Sequence, residues 1–251
     1  MSSLATLPDV IINKIKLYVI FTPEDDIELT SAVELWCFNK KLAYELYSHI
    51  SLWDTKYITD MSYLFNFQKP FFNSVISSWD VSNVTNMTCM FERAYCFNQP
   101  LNKWNVSNVE VTFCMFGEAK TFNQPLNNWD VSNVKDMTGM FGEAKTFNQP
   151  LNNWDVSNVK DMTGMFEYAL VFDQPLNNWN VSNVKEMGNM FNQAHTFNQL
   201  LDNWDVRNVI KMNNMFRNTK SLHKYLIGII IKKLIFKIPV GVITKINISK
   251  K

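Results

Sequence analysis

Chemistry in this chain would have to come from few residue types. The three histidines, His49, His195 and His223, stand far apart, none at the short spacing that brings two imidazoles onto one metal. Of the four cysteines, Cys37, Cys89, Cys96 and Cys114, two are separated by 25 residues, Cys89 and Cys114. No histidine recurs beside either to turn it into a nucleophilic thiolate. Carboxylates and amides recur more regularly. Asp80, Asn105, Asp130, Asp155, Asn180 and Asp205 follow at intervals of 25, and if stacked they would offer oxygens to a hard cation such as Ca²⁺. No glycine-rich loop supplies further oxygens, and the two asparagines relieve like-charge contacts, which fits an exposed polar face without metal. Met115, Met140, Met165, Met190 and Met215, followed by Phe116, Phe141, Phe166, Phe191 and Phe216, offer soft thioethers. Unbranched methionine beside aromatic rings is a core-filling arrangement, and the expectation is packing. No Walker loop, nucleophile elbow or dinucleotide fingerprint occurs. We therefore expect no catalytic residue, no cofactor-binding residue, no metal ligand, no cofactor and no enzymatic activity.

The intervals themselves are the dominant feature. Trp53, Trp79, Trp104, Trp129, Trp154, Trp179 and Trp204 are spaced 26, 25, 25, 25, 25 and 25 residues apart. The unit reads W-D-V-S-N-V-x-x-M-x-x-M-F-x-x-A-x-x-F-N-Q-P-L-N-N, and residues 117–141 and 142–166 are identical. Seven copies at a short fixed period predict a solenoid in which each unit buries its apolar face against its neighbours. Within a unit, Trp129 and Val131 alternate with Asp130 and Ser132, a period suited to a short strand. Val134, Met137, Met140, Phe141 and Ala144 then recur at helical or 3₁₀ spacing. The predicted fold is an α/β repeat solenoid, a leucine-rich-repeat-like right-handed coil of short parallel strands with short helical or 3₁₀ turns and an N-terminal helical cap. Strands stacked at their usual separation would make a sheet about 30 Å long.

Stacking makes columns of equivalent residues. Trp79, Trp104, Trp129, Trp154, Trp179 and Trp204 form the predicted structural core, with Met140, Phe141, Met165 and Phe166 beside them. Asn83, Asn108, Asn133, Asn158, Asn183 and Asn208, four residues after each tryptophan, form a predicted amide ladder at the strand ends, bonding the backbone of their own coil and the next. Gly139, Gly164, Asn189 and Asn214 take the place of Cys89 and Cys114 in other units, so small size is the expected demand there. The neighbouring Lys135–Asp136, Lys160–Asp161 and Lys185–Glu186 pairs fit a solvated outer face.

Composition agrees with a packed, non-enzymatic chain. The 251 residues carry 24 basic and 23 acidic side chains, a net charge of +1, which provides no field to steer polyanions, and no nucleic-acid partner is expected. Hydrophobic residues make up 47%, ample for a core. No uncharged apolar run approaches the length of a membrane span, and the opening residues lack a secretory pattern. An intracellular location without a signal peptide is the expectation.

The unit W-D-V-S-N-V-x-x-M-x-x-M-F, followed by A-x-x-F-N-Q-P-L, resembles the BspA-type leucine-rich repeat, also called the mycoplasma-lipoprotein or bacterial surface 25-residue repeat. The resemblance runs from Trp53 to about Gln199. It implies a right-handed, non-catalytic solenoid used for adhesion or protein recognition, and similar arrays occur in large DNA viruses of amoebae. A viral origin would place the chain in host cytoplasm.

Three segments are expected: a helical cap or F-box-like segment at 1–50, the seven-copy array at 51–226, and a basic, β-branched tail or cap at 227–251. The first carries Leu7, Pro8 and Ile15, then a helical stretch from Ile27 to Tyr47 with Leu29, Val33, Trp36, Leu42 and Leu46. The pattern L-P-D…I-x-x-I…L-x-x-A…C-F-N-K-K-L resembles a degenerate F-box, with Leu7, Pro8 and Ile15 as candidate contacts to a Skp1-type adaptor. The tail reads as an edge-covering cap, a basic membrane-surface segment or a degraded repeat, and peripheral membrane contact is not the favoured expectation. Function is expected to be a protein–protein interaction scaffold, with an F-box-like substrate adaptor for ubiquitin ligation as the alternative and a decaying structural array as a third. The partner protein itself is not named by so few variable surface positions.

Overall fold

The computed structural model describes residues 20–221. Leu7, Pro8, Ile15, His223 and the segment 227–251 lie outside the described residues. Two short helices precede the repeats, α1 (Asp26–Phe38) and α2 (Lys40–Tyr47), followed by a 3₁₀ turn at Ile50–Leu52. Asp25 starts α1 by accepting from Glu28 N at 2.8 Å, while the Glu28 carboxylate accepts from Glu24 N at 2.7 Å. This reciprocal pair satisfies amides that the first turn would otherwise leave bare. Asn39 breaks the stretch in two and caps α2 by accepting from Leu42 N. Leu29, Val33 and Trp36 are buried, whereas Leu42 and Leu46, expected on the same inward face, are exposed because α2 leaves the line of α1.

The expected sheet is absent, and this corrects the predicted α/β strand-based fold. Among the described residues each coil contributes one isolated parallel bridge residue, in the series Asp60, Asn86, Val111, Asp136, Asp161, Glu186 and Lys211. No strand extends from them. The coils are built from consecutive tight turns instead. Around Trp129, the amides of Trp129, Val134, Met140, Gly142, Ala144 and Phe147 all bond a carbonyl three residues back, at 2.9–3.2 Å. The intervening amides of Met137, Gly139, Phe141 and Glu143 bond Asp161, Thr163, Met165 and Glu167 of the next coil at 2.6–3.0 Å. Alternate residues from 137 to 144 thus close turns within a coil and tie coils together without a strand forming. Left-handed backbone at Gly139 (φ 61) and Glu143 (φ 57) makes this alternation possible, and the same two positions recur along the array. The residues at the first of them are Tyr63, Cys89, Cys114, Gly139, Gly164, Asn189 and Asn214. The shared demand is therefore positive φ, which glycine and asparagine tolerate, more than small size.

The first coil has no coil before it, and the N-terminal segment supplies the missing acceptors. Later coils bond backward through an amide such as Thr85 N to Thr59 O or Lys135 N to Glu110 O, each 2.8 Å. In the first coil the equivalent amide, Thr59 N, bonds the Asp26 carboxylate of α1 at 2.9 Å, with Asp60 N at 3.2 Å on the same oxygen. Trp53 Nε1 donates to Tyr47 O at 2.9 Å, where Trp79 Nε1 uses Ile50 O. Phe21, Trp36 and Tyr47 pack edge-on around the Trp53 ring, which is 2% exposed. Asp26→Ala is expected to lower unfolding free energy by about 1–2 kcal/mol, since two amides lose a charged acceptor at a half-exposed site. Urea denaturation measures this, and Asp26→Asn should recover part of the loss.

The core is three parallel aromatic columns. Tryptophan rings stack in register, for example Trp129 on Trp154 at 6.5 Å and 3°. Phe116, Phe141 and Phe166 stack at 5.6 and 5.8 Å, and a second phenylalanine from each coil, such as Phe147, lies 4.0 Å from its own partner Phe141. Met140, Met165, Met190 and Met215 fill the space between columns, all buried. Each interior indole also donates to a carbonyl of the preceding coil, Trp129 to Leu101 O and Trp154 to Leu126 O at 2.9 Å.

Candidate functional site

The groups with chemical potential are scattered by this architecture. His49 bonds Ser51 Oγ through Nδ1 at 2.7 Å, and His195 bonds Gln193 Oε1 at 3.1 Å; the two belong to opposite ends of the array. Partial burial, then the Lys220 ammonium, holds the His195 imidazole below its ordinary pKa. Three of the four thiols are chemically quiet. Burial pushes Cys89 up to about 12 and both Cys37 and Cys114 up to about 11, which keeps them protonated. Among the described residues no three histidine, cysteine or acidic side chains gather as metal ligands would.

The Asp/Asn column, considered above for a cation, has a local task. Asp80, Asn105, Asp130, Asp155, Asn180 and Asp205 each accept from the amide two residues on, at 2.9–3.2 Å, closing the turn after tryptophan. The Ser82 hydroxyl and amide hold the Asp80 carboxyl below the usual range, and Ser132 does the same for Asp130. The predicted asparagine ladder sits at an exposed edge. Asn83 donates to Lys56 O, and Asn108, Asn133, Asn158, Asn183 and Asn208 to a serine carbonyl of the preceding coil, at 2.6–2.7 Å. Each reaches back one coil; the expected bonds to the following coil are not what these amides make. A second ladder escaped the sequence reading. Asn73, Asn98, Asn123, Asn148 and Asp173 each accept from the backbone amide one unit later at 2.8–3.0 Å and from the glutamine beside it. Its signal was the recurrence of Asn-Gln after Phe97, Phe122, Phe147 and Phe197, with Asp173 taking the asparagine's place once.

What remains for function is the outer surface, and there the units differ. Along the turn after the buried phenylalanine, Arg93, Glu118, Glu143, Tyr168, Gln193 and Asn218 succeed one another. Two residues further on the series is Tyr95, Lys120, Lys145, Leu170, His195 and Lys220. Arg93 pairs with Glu118 at 2.7 Å, and Lys135 with Glu110 at 2.5 Å, so part of the variation is mutually compensated. A shallow groove of about 280 Å³ runs across four coils here, lined by Glu92, Glu118, Glu143 and Glu167 together with glycines. Tyr168 and Val171 interrupt the charged series, 38% and 41% exposed. No helix among the described residues is long and apolar enough to cross a membrane.

A family model described as "Mycoplasma protein of unknown function, DUF285" matches residues 36–149 and 126–228. No curated protein and no solved structure matches the chain.

Proposed function

The chain belongs to the DUF285 family of mycoplasma repeat proteins, and from that premise we propose that it is a non-catalytic scaffold that binds another protein through the exposed turn following the phenylalanine pair. One observation carries this reading. Core columns hardly change between coils, while positions 93, 118, 143, 168, 193 and 218, exposed at Arg93 and Tyr168 and half-buried at the rest, carry five different side chains in six coils. Repetition there costs nothing to packing, so the variation is free to be read by a partner, and a stack of turns presents it as a flat, extended surface. Tyr168, Leu170 and Val171 are the anchor of that surface: exposed or half-buried apolar groups at positions where the preceding coils carry Glu143, Lys145 and Thr146.

The triple substitution Tyr168→Glu, Leu170→Lys, Val171→Thr restores the residues of the preceding coil and should leave the fold unchanged. The expected result is loss, by at least tenfold, of a protein captured by the native chain in proximity labelling and pull-down, with an unaltered melting temperature. Equal capture by both chains refutes the reading. Turnover of any substrate in an unbiased hydrolase screen would refute the non-catalytic part. The adaptor reading is favoured by the exposed Leu42 and Leu46, one turn apart on the same side of α2. Direct binding of a Skp1-type protein, abolished by Leu42→Asp, would establish it; no binding at micromolar concentration retires it.

A further inference from the structure

Near-identical coils act as controls for one another, and of the exposed places where the first coil departs from the rest, the most exposed borders a cavity. Eight residues before each following tryptophan stand Cys96, Thr121, Thr146, Val171 and Thr196. The three threonines donate to carbonyls of the coil before them, Tyr95 and Lys120 at 2.9 Å and Leu170 at 3.1 Å. In the first coil this position is Phe71. No coil precedes it, so no carbonyl calls for a hydroxyl, yet packing does not call for a phenyl ring either: Phe71 is 83% exposed. Across from it Phe38, the last residue of α1, is 70% exposed.

These two rings border a cavity of about 540 Å³ between α1 and the first coil, within the range of ordinary ligand sites. Its apolar surface comes from Trp36, Pro70 and Phe72. Trp36 is held by its Nε1 donating to Ser74 Oγ at 3.1 Å, and Phe72 stacks on Phe65 at 3.9 Å, so the surface is anchored to the core. The charged groups lining the cavity are Lys40 and Lys69, with no carboxylate among them. Lys40 Nζ lies 4.9 Å from the Trp36 ring centre, and Lys69 lines the cavity as a buried residue, only 6% exposed. Glu34 is near enough to Cys37 to act on its thiol but does not line the cavity.

We propose that this cavity docks an acidic, extended peptide segment of a partner protein, its bulky apolar side chain seated on Trp36 and Phe72 between Phe38 and Phe71, its carboxylates meeting Lys40 and Lys69. Small-molecule sites enclose most of their ligand. Here two rim phenylalanines stand more than two-thirds exposed, and only a ligand running along the surface covers both. The matching charge sign selects an acidic segment, and excess lysine without compensating carboxylate favours its approach. The site lies apart from the variable turn and rests on the protein-binding reading only in taking a polypeptide as ligand.

The test uses the full chain and a short fluorescein-labelled peptide with two phenylalanines set among aspartates. Two control peptides carry asparagine for every aspartate, or alanine for both phenylalanines. Fluorescence anisotropy should rise saturably with a Kd of about 10–100 µM, and each control should bind at least tenfold more weakly. Phe71→Ser and Lys40→Glu, both at exposed positions, should each weaken binding at least tenfold with unchanged melting temperatures. The Tyr168, Leu170, Val171 triple variant should bind the peptide as the native chain does, so failure here is distinguishable from failure of the variable-turn reading. No saturable binding, equal binding of the uncharged peptide, or unaltered binding by both cavity variants overturns the proposal.

Discussion

Trp154→Ala is expected to cost about 5 kcal/mol of unfolding free energy. The ring is 3% exposed and stacked between Trp129 and Trp179 at 6.5 Å on both sides, at 3° and 1°. Its removal opens a large cavity in the middle of the array, with a transfer and cavity loss of about 3–5 kcal/mol. It also strips the buried Leu126 carbonyl of the Nε1–H it accepts at 2.9 Å, and an orphaned buried acceptor adds about 1–3 kcal/mol. Coils bond only their neighbours, so the damage should also uncouple the array at that point. Urea denaturation should then show a lower midpoint and a broader or split transition. Trp154→Phe, which keeps a ring but not the donor, should lie between. A loss below about 2 kcal/mol would mean that neighbouring coils do not share one core.

Gly139→Ala is expected to be the most damaging single-methyl addition, at about 2–4 kcal/mol. Its φ of 61 alone disfavours a Cβ by about 1–2 kcal/mol. In addition the new methyl would stand 2.7 Å from Cys114 Sγ of the preceding coil, too close without displacement of one coil against the other. The two causes separate in a double-mutant cycle. Cys114→Gly should by itself stabilise slightly, because Cys114 occupies φ 49, and in that background Gly139→Ala should lose its steric part and keep its conformational part. Gly164 has the same φ of 61 but would meet only the Glu167 side chain at 3.3 Å, so Gly164→Ala should cost less. Equal costs at both glycines would remove the Cys114 contact as a cause.

The repeat register and the buried columns could be read from sequence because tryptophan, methionine and phenylalanine mark the interior at a fixed period. The backbone could not. Trp129-Asp130-Val131-Ser132 alternates as a strand does, but the aspartate folds back on the Ser132 amide and makes a turn. The same in–out alternation arises either way, since a turn closed by its second residue also reverses side-chain direction. Met137, Met140, Phe141 and Ala144 are spaced as on a helix, yet left-handed residues at 139 and 143 prevent one. The clue was present at the first of these positions, where glycine or asparagine stands in four coils, but two cysteines there pointed to size. The cavity beside Phe71 was hidden for another reason. It joins α1 to a loop more than thirty residues away, and no periodicity links them. The variable turn was visible as sequence variation, though which of those positions face outward required the fold.

The indole column has an optical consequence. Four consecutive tryptophan pairs, from Trp104 to Trp204, lie 6.3–6.5 Å apart with planes within 6° of parallel. At such separations ultraviolet excitation absorbed by one ring hops to the next faster than it is emitted, and hopping between rings so similarly oriented scrambles little of the original polarisation. A quencher placed at one end of the row therefore darkens rings several coils away, and the distance over which it does so reports how many coils are still in register.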